Sequence, residues 1–400
     1  MKNKLSTLAV AALFSLSAVS ASAATFTLLD AQAGAGYDSS PAMFDATGNY
    51  IIGGSPSSST FMRGTAWSIT SPNAPIAFKS LGSTDKYGSL SSINASGIAV
   101  GNSKNNDFSG VQRATMWSFT NPTSPTELQS LGNTSKIGAA KGINDSGQIV
   151  GQTYNSSNVA KATLWSAGSN TPSELFSLGG GTRTGSAQII NNSGLIVGNS
   201  QDSNSVIKAT LWSTAGAQGT LLESLGAGTK TGNAMMIDSS GNVVGYSQNA
   251  SGIEKATSWF VTNVTTVTGP TLLESLGGSG QAGYAQGINA LGQVLGSSKD
   301  ANGVSKATLW TNGVATDLND LLSASDKTAG WILTSAIATN ADGSSIIGNA
   351  TNSLLGINSK GFLLSVAAVP EPDISAMLLM GAGVMGFMAR RRKQAANQNY

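Results

Sequence analysis

The stretch KGINDSGQIVG at residues 141–151 contains an Asn, two further residues, a Gly and an apolar run that ends on a second Gly. Related copies return along the chain at steps of 47 to 52 residues. The closing glycines are Gly53, Gly101, Gly151, Gly198, Gly245, Gly296 and Gly348. Self-similarity at this period indicates a solenoid or a propeller. Most of the repeated residues are therefore expected to serve the scaffold.

One well-formed copy predicts four short strands, which we call a to d, over residues 139–144, 148–153, 161–165 and 173–179. Between strands a and b, the residues from Asn144 to Gly147 have the composition of a hairpin turn, in which Gly takes the positive φ of a tight return. Four antiparallel strands in a repeat of this length are typical of a β-propeller blade. The predicted fold class is therefore all-β, with four-stranded blades.

The two ends of the repeat array indicate how the ring closes. The last copy has segments a, b and c at residues 335–339, 345–349 and 360–365, but no strand d follows them. Residues 28–34 resemble strand d of another copy, residues 221–226. An open solenoid would need capping repeats. A closed ring instead needs a one-strand permutation, in which the N-terminal strand serves as strand d of the last blade. We therefore predict seven blades, the last completed by the N-terminal strand.

Two repeated residue types are predicted to serve the scaffold. One large apolar residue recurs in each blade. We expect these residues to pack between blades and not to form a ring that stacks on sugars. These positions are Trp67, Trp117, Trp165, Trp212, Trp259 and Trp310, with Leu364 in the seventh blade. One Asn or Asp per blade favours turn formation over calcium binding. These positions are Asp45, Asn94, Asn144, Asn191, Asp238, Asn289 and Asn340.

Composition narrows the possible chemistry. Charged residues make up only 10% of the chain, and glycine alone supplies 49 positions. The absence of Cys excludes disulfides and thiolate metal sites, and the absence of His excludes Ser-His-Asp catalysis and His-ligated metals. We predict no metal site and no cofactor.

The N-terminus has the pattern of a secretory signal peptide. Lys2 and Lys4 precede an apolar stretch at residues 8–19, and Ala21 and Ala23 supply the small residues that a signal peptidase needs. The predicted domains are a signal peptide at residues 1–23, a seven-repeat propeller at residues 24–368 and a sorting and anchor segment at residues 369–400.

The C-terminal segment has three parts in a fixed order. A Val-Pro-Glu-Pro box precedes an uncharged run at residues 374–389 and then a basic cluster. Sixteen residues are short against the ~20 that span a bilayer, yet the basic end fits the positive-inside rule, so we predict a transmembrane helix. The motif residues are Val369, Pro370, Glu371, Pro372, Arg390, Arg391 and Arg392.

This segment resembles a bacterial PEP-CTERM sorting signal. The resemblance implies recognition by an exosortase, a membrane transpeptidase-like enzyme, after export. It also implies a final location at the cell surface or in the extracellular matrix, with transient anchoring in the inner membrane. One departure is that residues 394–400 extend beyond the basic cluster, where the family usually stops sooner.

The repeat unit itself resembles the bacterial extracellular HAF repeat. The similarity rests on KGINDSGQIVG, KATLW and LQSLGN, with Lys-Ala-Thr in place of the His-Ala-Phe that names the family. It spans nearly all of residues 28–365. The resemblance implies export, frequent combination with a sorting tail and no established enzymatic activity. Any property that depends on the missing His does not carry over.

Basic residues recur at two positions of the repeat. The residue that opens strand c is basic in every blade: Arg63, Arg113, Lys161, Lys208, Lys255, Lys306 and Lys360. The residue eight positions before the turn Asn or Asp is basic in four blades: Lys86, Lys136, Arg183 and Lys230. Strand c begins where strand d hands over to the next blade, so both sets are predicted to share one face. Six acidic residues are predicted at the opposite face: Asp45, Asp145, Asp238, Asp342, Glu127 and Glu174.

A basic face predicts salt-sensitive binding of acidic exopolysaccharide or extracellular DNA. The alternative is that these side chains keep a strand edge soluble and cover apolar surface with their stems. The leading hypothesis is a non-enzymatic, monomeric surface or biofilm-matrix protein that serves in adhesion or polymer binding. A second is a carboxylate-dependent glycosidase using the cluster Asp317, Asp320 and Asp326. A third is a surface assembly factor. Signal peptidase, exosortase and the membrane are the expected partners during export.

Overall fold

The computed structural model describes residues 24–34, 36–58, 61–82, 87–104, 110–132 and 137–366. These residues form seven sheets of four antiparallel strands each. In six sheets the four strands follow one another along the chain, and the seventh takes its outer strand from the N-terminus. The prediction of an all-β, seven-bladed propeller is confirmed. The predicted signal peptide and the predicted transmembrane helix lie outside the described residues.

The first strand is β1 (Thr25–Leu28). Blades 1 and 2 contain β2 (Ser40–Phe44), β3 (Tyr50–Ser58), β4 (Phe61–Ser68), β5 (Ser71–Phe78), β6 (Gly88–Ile93), β7 (Ile98–Lys104), β8 (Gln112–Ser118) and β9 (Asn121–Leu128). Blades 3 and 4 contain β10 (Gly138–Ile143), β11 (Ile149–Tyr154), β12 (Ala160–Trp165), β13 (Pro172–Leu175), β14 (Gly185–Ile190), β15 (Leu195–Gln201), β16 (Ile207–Ser213) and β17 (Gly216–Leu222).

Blades 5 and 6 contain β18 (Gly232–Ile237), β19 (Asn242–Gln248), β20 (Glu254–Asn263), β21 (Thr266–Leu272), β22 (Gly283–Ile288), β23 (Val294–Lys299), β24 (Ser305–Thr311) and β25 (Val314–Asp317). A 3-10 helix (Leu318–Leu321) and α1 (Ala324–Thr328) lead to blade 7. Blade 7 contains β26 (Trp331–Thr339), β27 (Ser345–Asn352), a 3-10 helix (Ser353–Leu355) and β28 (Ile357–Ser365).

The N-terminal strand closes the ring. Strand β1 pairs antiparallel with β28, from Thr25 opposite Ser365 to Leu28 opposite Phe362. The ladder continues past β1, because the amide of Leu29 donates to the oxygen of Gly361 at 2.9 Å. The seventh sheet therefore has the order β1-β28-β27-β26, which confirms the predicted one-strand permutation.

Strand d is shorter than the sequence predicts. In blade 3 the expected strand runs to residue 179, but β13 ends at Leu175. The following Ser-Leu-Gly triplet turns towards blade 4: Ser177 Oγ donates to the Gly180 oxygen at 2.6 Å, and the Gly179 amide donates to the Gln201 oxygen at 2.8 Å. The triplet thus recurs because it connects neighbouring blades.

The a–b turns follow the predicted turn chemistry. Asn144 Oδ1 accepts a hydrogen bond from the Gln148 amide at 2.9 Å, and Gly147 has a φ of 79°. The side chain of Asn144 also reaches the next blade, because its Nδ2 donates to the Asn191 oxygen at 3.2 Å. The repeated Asn therefore stabilises both its own turn and the contact between blades.

Each closing glycine lies opposite a β-bulge in strand a. In blade 3 the register between β10 and β11 shifts between Ala140 and Gly142, so Lys141 is the extra, bulged residue. A Cβ atom on Gly151 would lie 2.1 Å from the oxygen of Ala139, a distance that no side chain allows. All seven blades repeat this shift, and all seven glycines repeat this clash. The bulge therefore explains why the repeat ends on Gly.

The repeated tryptophans pack between blades, as predicted. All six expose 3% or less of their surface. Each indole Nε1 donates to a carbonyl just after strand d of the preceding blade; for example, Trp165 bonds to Gln129 at 2.9 Å and Trp212 to Phe176 at 2.7 Å. Leu364 takes this place in blade 7 and packs in a cluster with Phe362. Each tryptophan therefore combines apolar burial with a hydrogen bond between blades.

Candidate binding surfaces and the central channel

The two ends of the propeller carry different connections. The turn face carries the a–b and c–d turns, and the linker face carries the b–c loops and the linkers from strand d to the next blade. Strand c starts at the linker face. There, Lys161 Nζ donates to the backbone oxygens of Gly181 and Arg183, the latter at 3.0 Å. The two basic positions of the repeat therefore meet at one end of the blade.

Most of the strand c cations are buried beneath the linkers. Arg113, Lys161, Lys208, Lys255 and Lys360 expose 5% or less of their surface, while Arg63 and Lys306 are half-buried. The predicted exposed basic face is therefore wrong at five of the seven positions. The strand pattern gives the end of the blade at which a side chain lies, but it does not show that the following linker covers that side chain.

The buried ammonium groups hold the linkers in place. Lys208 Nζ donates to the oxygens of Gly228 and Lys230, the latter at 2.7 Å. Lys255 Nζ repeats the arrangement on Ser279, at 2.6 Å, and on Gln281. Burial lowers the pKa of Lys255 below its usual value. Charge-assisted bonds of this kind satisfy carbonyls that have no partner in a sheet. These cations therefore belong to the scaffold.

The predicted separation of charge holds only for the aspartates. Asp45 and Asp238 lie in a–b turns, where their carboxylates accept backbone amides. Asp342 lies in such a turn as well, and hydrogen bonds from Ser344 lower the pKa of its carboxyl.

The two glutamates lie with the cations instead of opposite them. Glu174 Oε1 lies 2.9 Å from Lys161 Nζ, and Glu127 Oε1 lies 3.6 Å from Arg113 Nε. Lys360 is paired similarly with Asp30, at 3.6 Å. The prediction for Glu127 and Glu174 is wrong because both residues lie near the end of strand d, and the antiparallel ladder places that end beside the start of strand c.

The second set of basic residues, eight positions before the turn Asn or Asp, also stabilises the linker face. Arg183 Nη2 donates to the Ser203 oxygen at 2.6 Å, and its Nη1 donates to Ser205 Oγ, so the guanidinium joins a linker to a b–c loop. Lys230 is half-buried at the equivalent position. Lys86 and Lys136 lie outside the described residues. Arg183 and Lys230 are thus more accessible than the strand c cations of their blades.

The carboxylate cluster proposed for the glycosidase alternative is built into helix caps. Asp317 Oδ1 accepts the Asn319 amide at 2.9 Å at the start of the 3-10 helix. Asp326 Oδ2 accepts the hydroxyl of Ser323, which caps α1, at 2.5 Å. Two of the three carboxylates therefore have capping roles.

A channel runs between the innermost strands. Its cavity measures about 380 Å³ and is lined by strand a residues of six blades. Lys141 is the charged residue of this lining, and its Nζ donates to Ser186 Oγ at 2.8 Å. Burial lowers the pKa of Lys141. The sequence prediction missed this residue. The signal for it is a position at which the copies differ, one residue after a position that is Ala in five of the seven copies.

Within the described part of the chain, no group of three or more carboxylates is placed to hold a metal ion. The same residues include no helix long and apolar enough to cross a membrane.

Comparison with known proteins identifies the C-terminal segment. Residues 368–393 match the family model of the PEP-CTERM protein-sorting motif. The sorting motif and the propeller together support an exported surface protein, and the motif is consistent with processing by an exosortase. No curated protein matches the chain.

Solved structures resemble the chain in fold alone. A structure from an analysis of two prolyl endopeptidases is 8% identical, with a TM-score of 0.50; the match covers 79% of this chain and 47% of that one. The BP39L lectin from Burkholderia pseudomallei is 12% identical over 82% of this chain and 94% of its own, with a TM-score of 0.45. A putative TolB from Agrobacterium tumefaciens is 12% identical over 58% and 79%, with a TM-score of 0.41. These proteins include enzymes and non-enzymes, so the likeness does not decide between them.

Proposed function

We propose that the protein is a non-enzymatic surface or biofilm-matrix protein that binds an acidic extracellular polysaccharide. The observation that carries the proposal is the order of its parts: a ring complete by Ser365 is followed directly by a sorting motif at residues 368–393. A propeller sorted in this way presents its loops to the surroundings of the cell. The suggested similarity to HAF repeats agrees with a role that needs no catalysis.

The polymer would meet the linker face at its accessible cations. Arg183 and Lys230 are half-buried there, together with Arg63 and Lys306 at the start of strand c. Their guanidinium and ammonium groups supply a salt-sensitive attraction for carboxylated or sulfated sugars. The five buried cations take no direct part in this proposal.

Salt-dependent binding to alginate tests the proposal. We expect the exported protein to bind alginate in dilute salt and to lose most of this affinity above about 0.3 M salt, where the screening length is short. The double variant Arg183→Gln/Lys230→Gln should bind several-fold more weakly. The control Lys141→Gln removes a positive charge from the channel instead of the linker face and should bind alginate normally.

Three results would overturn the proposal. They are binding that does not respond to salt, an equal loss in the double variant and in Lys141→Gln, and binding of DNA but not of alginate. Hydrolysis of alginate or of neutral glycans by the purified protein would overturn the non-enzymatic assignment.

A further inference from the structure

The bulged residues of strand a form a ring around the channel. The identity of the residue at this position differs between blades. The seven positions are Ala42, Ser91, Lys141, Gln188, Met235, Gln286 and Ile337. Six of the seven line the cavity. Bulges redirect side chains out of the regular pleat and are common beside functional sites. This ring therefore places side chains of six kinds around one axis.

The fold does not require a charge at this position. Other blades form the same bulge with Ala42, Ser91 or Met235, so the lysine of blade 3 is not needed for the backbone geometry. The strand c lysines differ, because they recur and donate to carbonyls of the linkers. Lys141 instead donates to one hydroxyl, that of Ser186. An ammonium has three donors, so two of them remain available to the cavity.

The lining around Lys141 suits an anion with an apolar body. No Asp or Glu is among the residues that line this cavity. Ser91 and Gln188 add a hydroxyl and an amide, while Met235 and Met236 add apolar, polarisable surface on blade 5. Thioethers make favourable contacts with the edges of aromatic rings. The cavity thus combines one positive charge, neutral hydrogen-bonding groups and an apolar wall.

We propose that the central channel is a binding site for a small aromatic monocarboxylate, with the carboxylate on Lys141 and the ring against Met235 and Met236. The volume of about 380 Å³ is within the range of about 300–1,000 Å³ typical of small-molecule sites. The mixture of a few polar groups with a mainly apolar wall is also typical of such sites. The site lies on the propeller axis, and its ligand is a small molecule, so it goes beyond the polysaccharide proposal.

Titration of the full chain with benzoate and with benzamide tests the site. The two compounds have nearly the same shape and differ in charge. We expect benzoate to bind at least about ten-fold more tightly than benzamide, because only benzoate pairs with the ammonium. Methyl resonances of Met235 and Met236 should shift on addition of benzoate, because an aromatic ring would lie against them.

Substitutions at position 141 distinguish the effect of the lysine's charge on ligand preference from the effect of its side-chain shape. Lys141→Met keeps the length of the side chain and repeats a residue that blade 5 carries at this position, so the fold should persist. It should abolish the preference for benzoate, whereas Lys141→Arg should keep it. Lys230→Met removes a charge from the linker face and should leave the preference unchanged.

Three results would overturn the proposal. The first is the absence of benzoate binding up to about 10 mM. The second is equal affinity for benzoate and benzamide in the parent protein, and the third is a preference that survives in Lys141→Met.

Discussion

Lysine has two different roles in this molecule. Lys161 recurs in the repeat, is buried, donates to two linker carbonyls and pairs with Glu174. Lys141 occurs in one blade, lines the channel and donates to one hydroxyl. The repeated lysine is thus scaffold, and the unrepeated one is the candidate for ligand binding.

Replacing the scaffold lysine should destabilise the protein. In Lys161→Met, the oxygens of Gly181 and Arg183 and the carboxylate of Glu174 lose a buried cationic partner. Breaking such an arrangement typically costs about 2–4 kcal/mol. We expect this loss in the free energy of unfolding, measured by urea denaturation. Lys230→Met, at a half-buried position, should cost less than about 1 kcal/mol.

Equal stability of the two lysine variants would contradict the scaffold role of Lys161. The result would then favour a linker held by its own backbone bonds. The comparison is matched, because each variant removes one positive charge at the same end of the propeller.

The strands of the fold could be predicted from the sequence where a pattern repeats. Strands a, b and c lie within one or two residues of the prediction in blade 3, since alternation and the Asn-to-Gly turn fix their register. Strand d ends early because Ser177 and Gly179 bond to the linker and to the next blade. The bond from Gly179 to blade 4 joins segments that are far apart in the chain, as do the bonds from the strand c cations to the linkers, so the pattern within a strand predicts neither.

The candidate site was harder to predict than the scaffold. The sequence pattern does not distinguish a bulge from regular strand, so it did not place Lys141 on the channel. Repetition drew attention to residues that the fold itself requires. The placement of Lys141 on the channel wall follows only from the register shift between Ala140 and Gly142.

Removing the closing strand should open the seventh blade. Deletion of residues 24–33 takes away β1 and leaves the ladder edge of β28 unpaired. We expect the free energy of unfolding to fall by more than about 3 kcal/mol, because apolar contacts of Phe26 and Leu29 are lost together with the strand. Chemical denaturation followed by tryptophan fluorescence measures the change.

A circular permutant provides the control for this deletion. Thr25 and Ser365 are partners on adjacent antiparallel strands, so a short linker can join residue 366 to residue 24. New ends at Gly168 and Ser169 lie in an exposed c–d turn. This permutant keeps every strand and should retain nearly the parent stability. If the deletion variant were as stable as the permutant, closure by β1 would be unimportant.

At the scale of the whole molecule, side-chain amides link successive blades in one direction around the turn face. Asn94 Nδ2 donates to the Asn144 oxygen, Asn144 Nδ2 donates to the Asn191 oxygen, and Asn191 Nδ2 donates to the Asp238 oxygen at 3.0 Å. Asp238 has no amide and cannot continue towards Asn289 of blade 6. The series of inter-blade bonds therefore stops at blade 5.

Restoring the amide should extend this series. In Asp238→Asn, we expect a new bond to the Asn289 oxygen and a gain of about 0.5–1 kcal/mol in the free energy of unfolding. Thermal denaturation at constant salt would show the change. The control Asp342→Asn removes the same charge from a turn position outside the series and should give no gain. A loss of stability in Asp238→Asn would mean that the local bond from Asn242 to the carboxylate matters more.

The glycine opposite each bulge has a consequence for how recognition can change over evolutionary time. Because Gly53, Gly151 and their counterparts have no side chain where the backbone of strand a comes closest, the bulge forms whichever residue occupies the bulged position. A substitution there alters the channel wall and little else. Seven sites on one axis can therefore mutate independently of one another, and a lineage could acquire a new ligand in single steps without passing through an unstable intermediate.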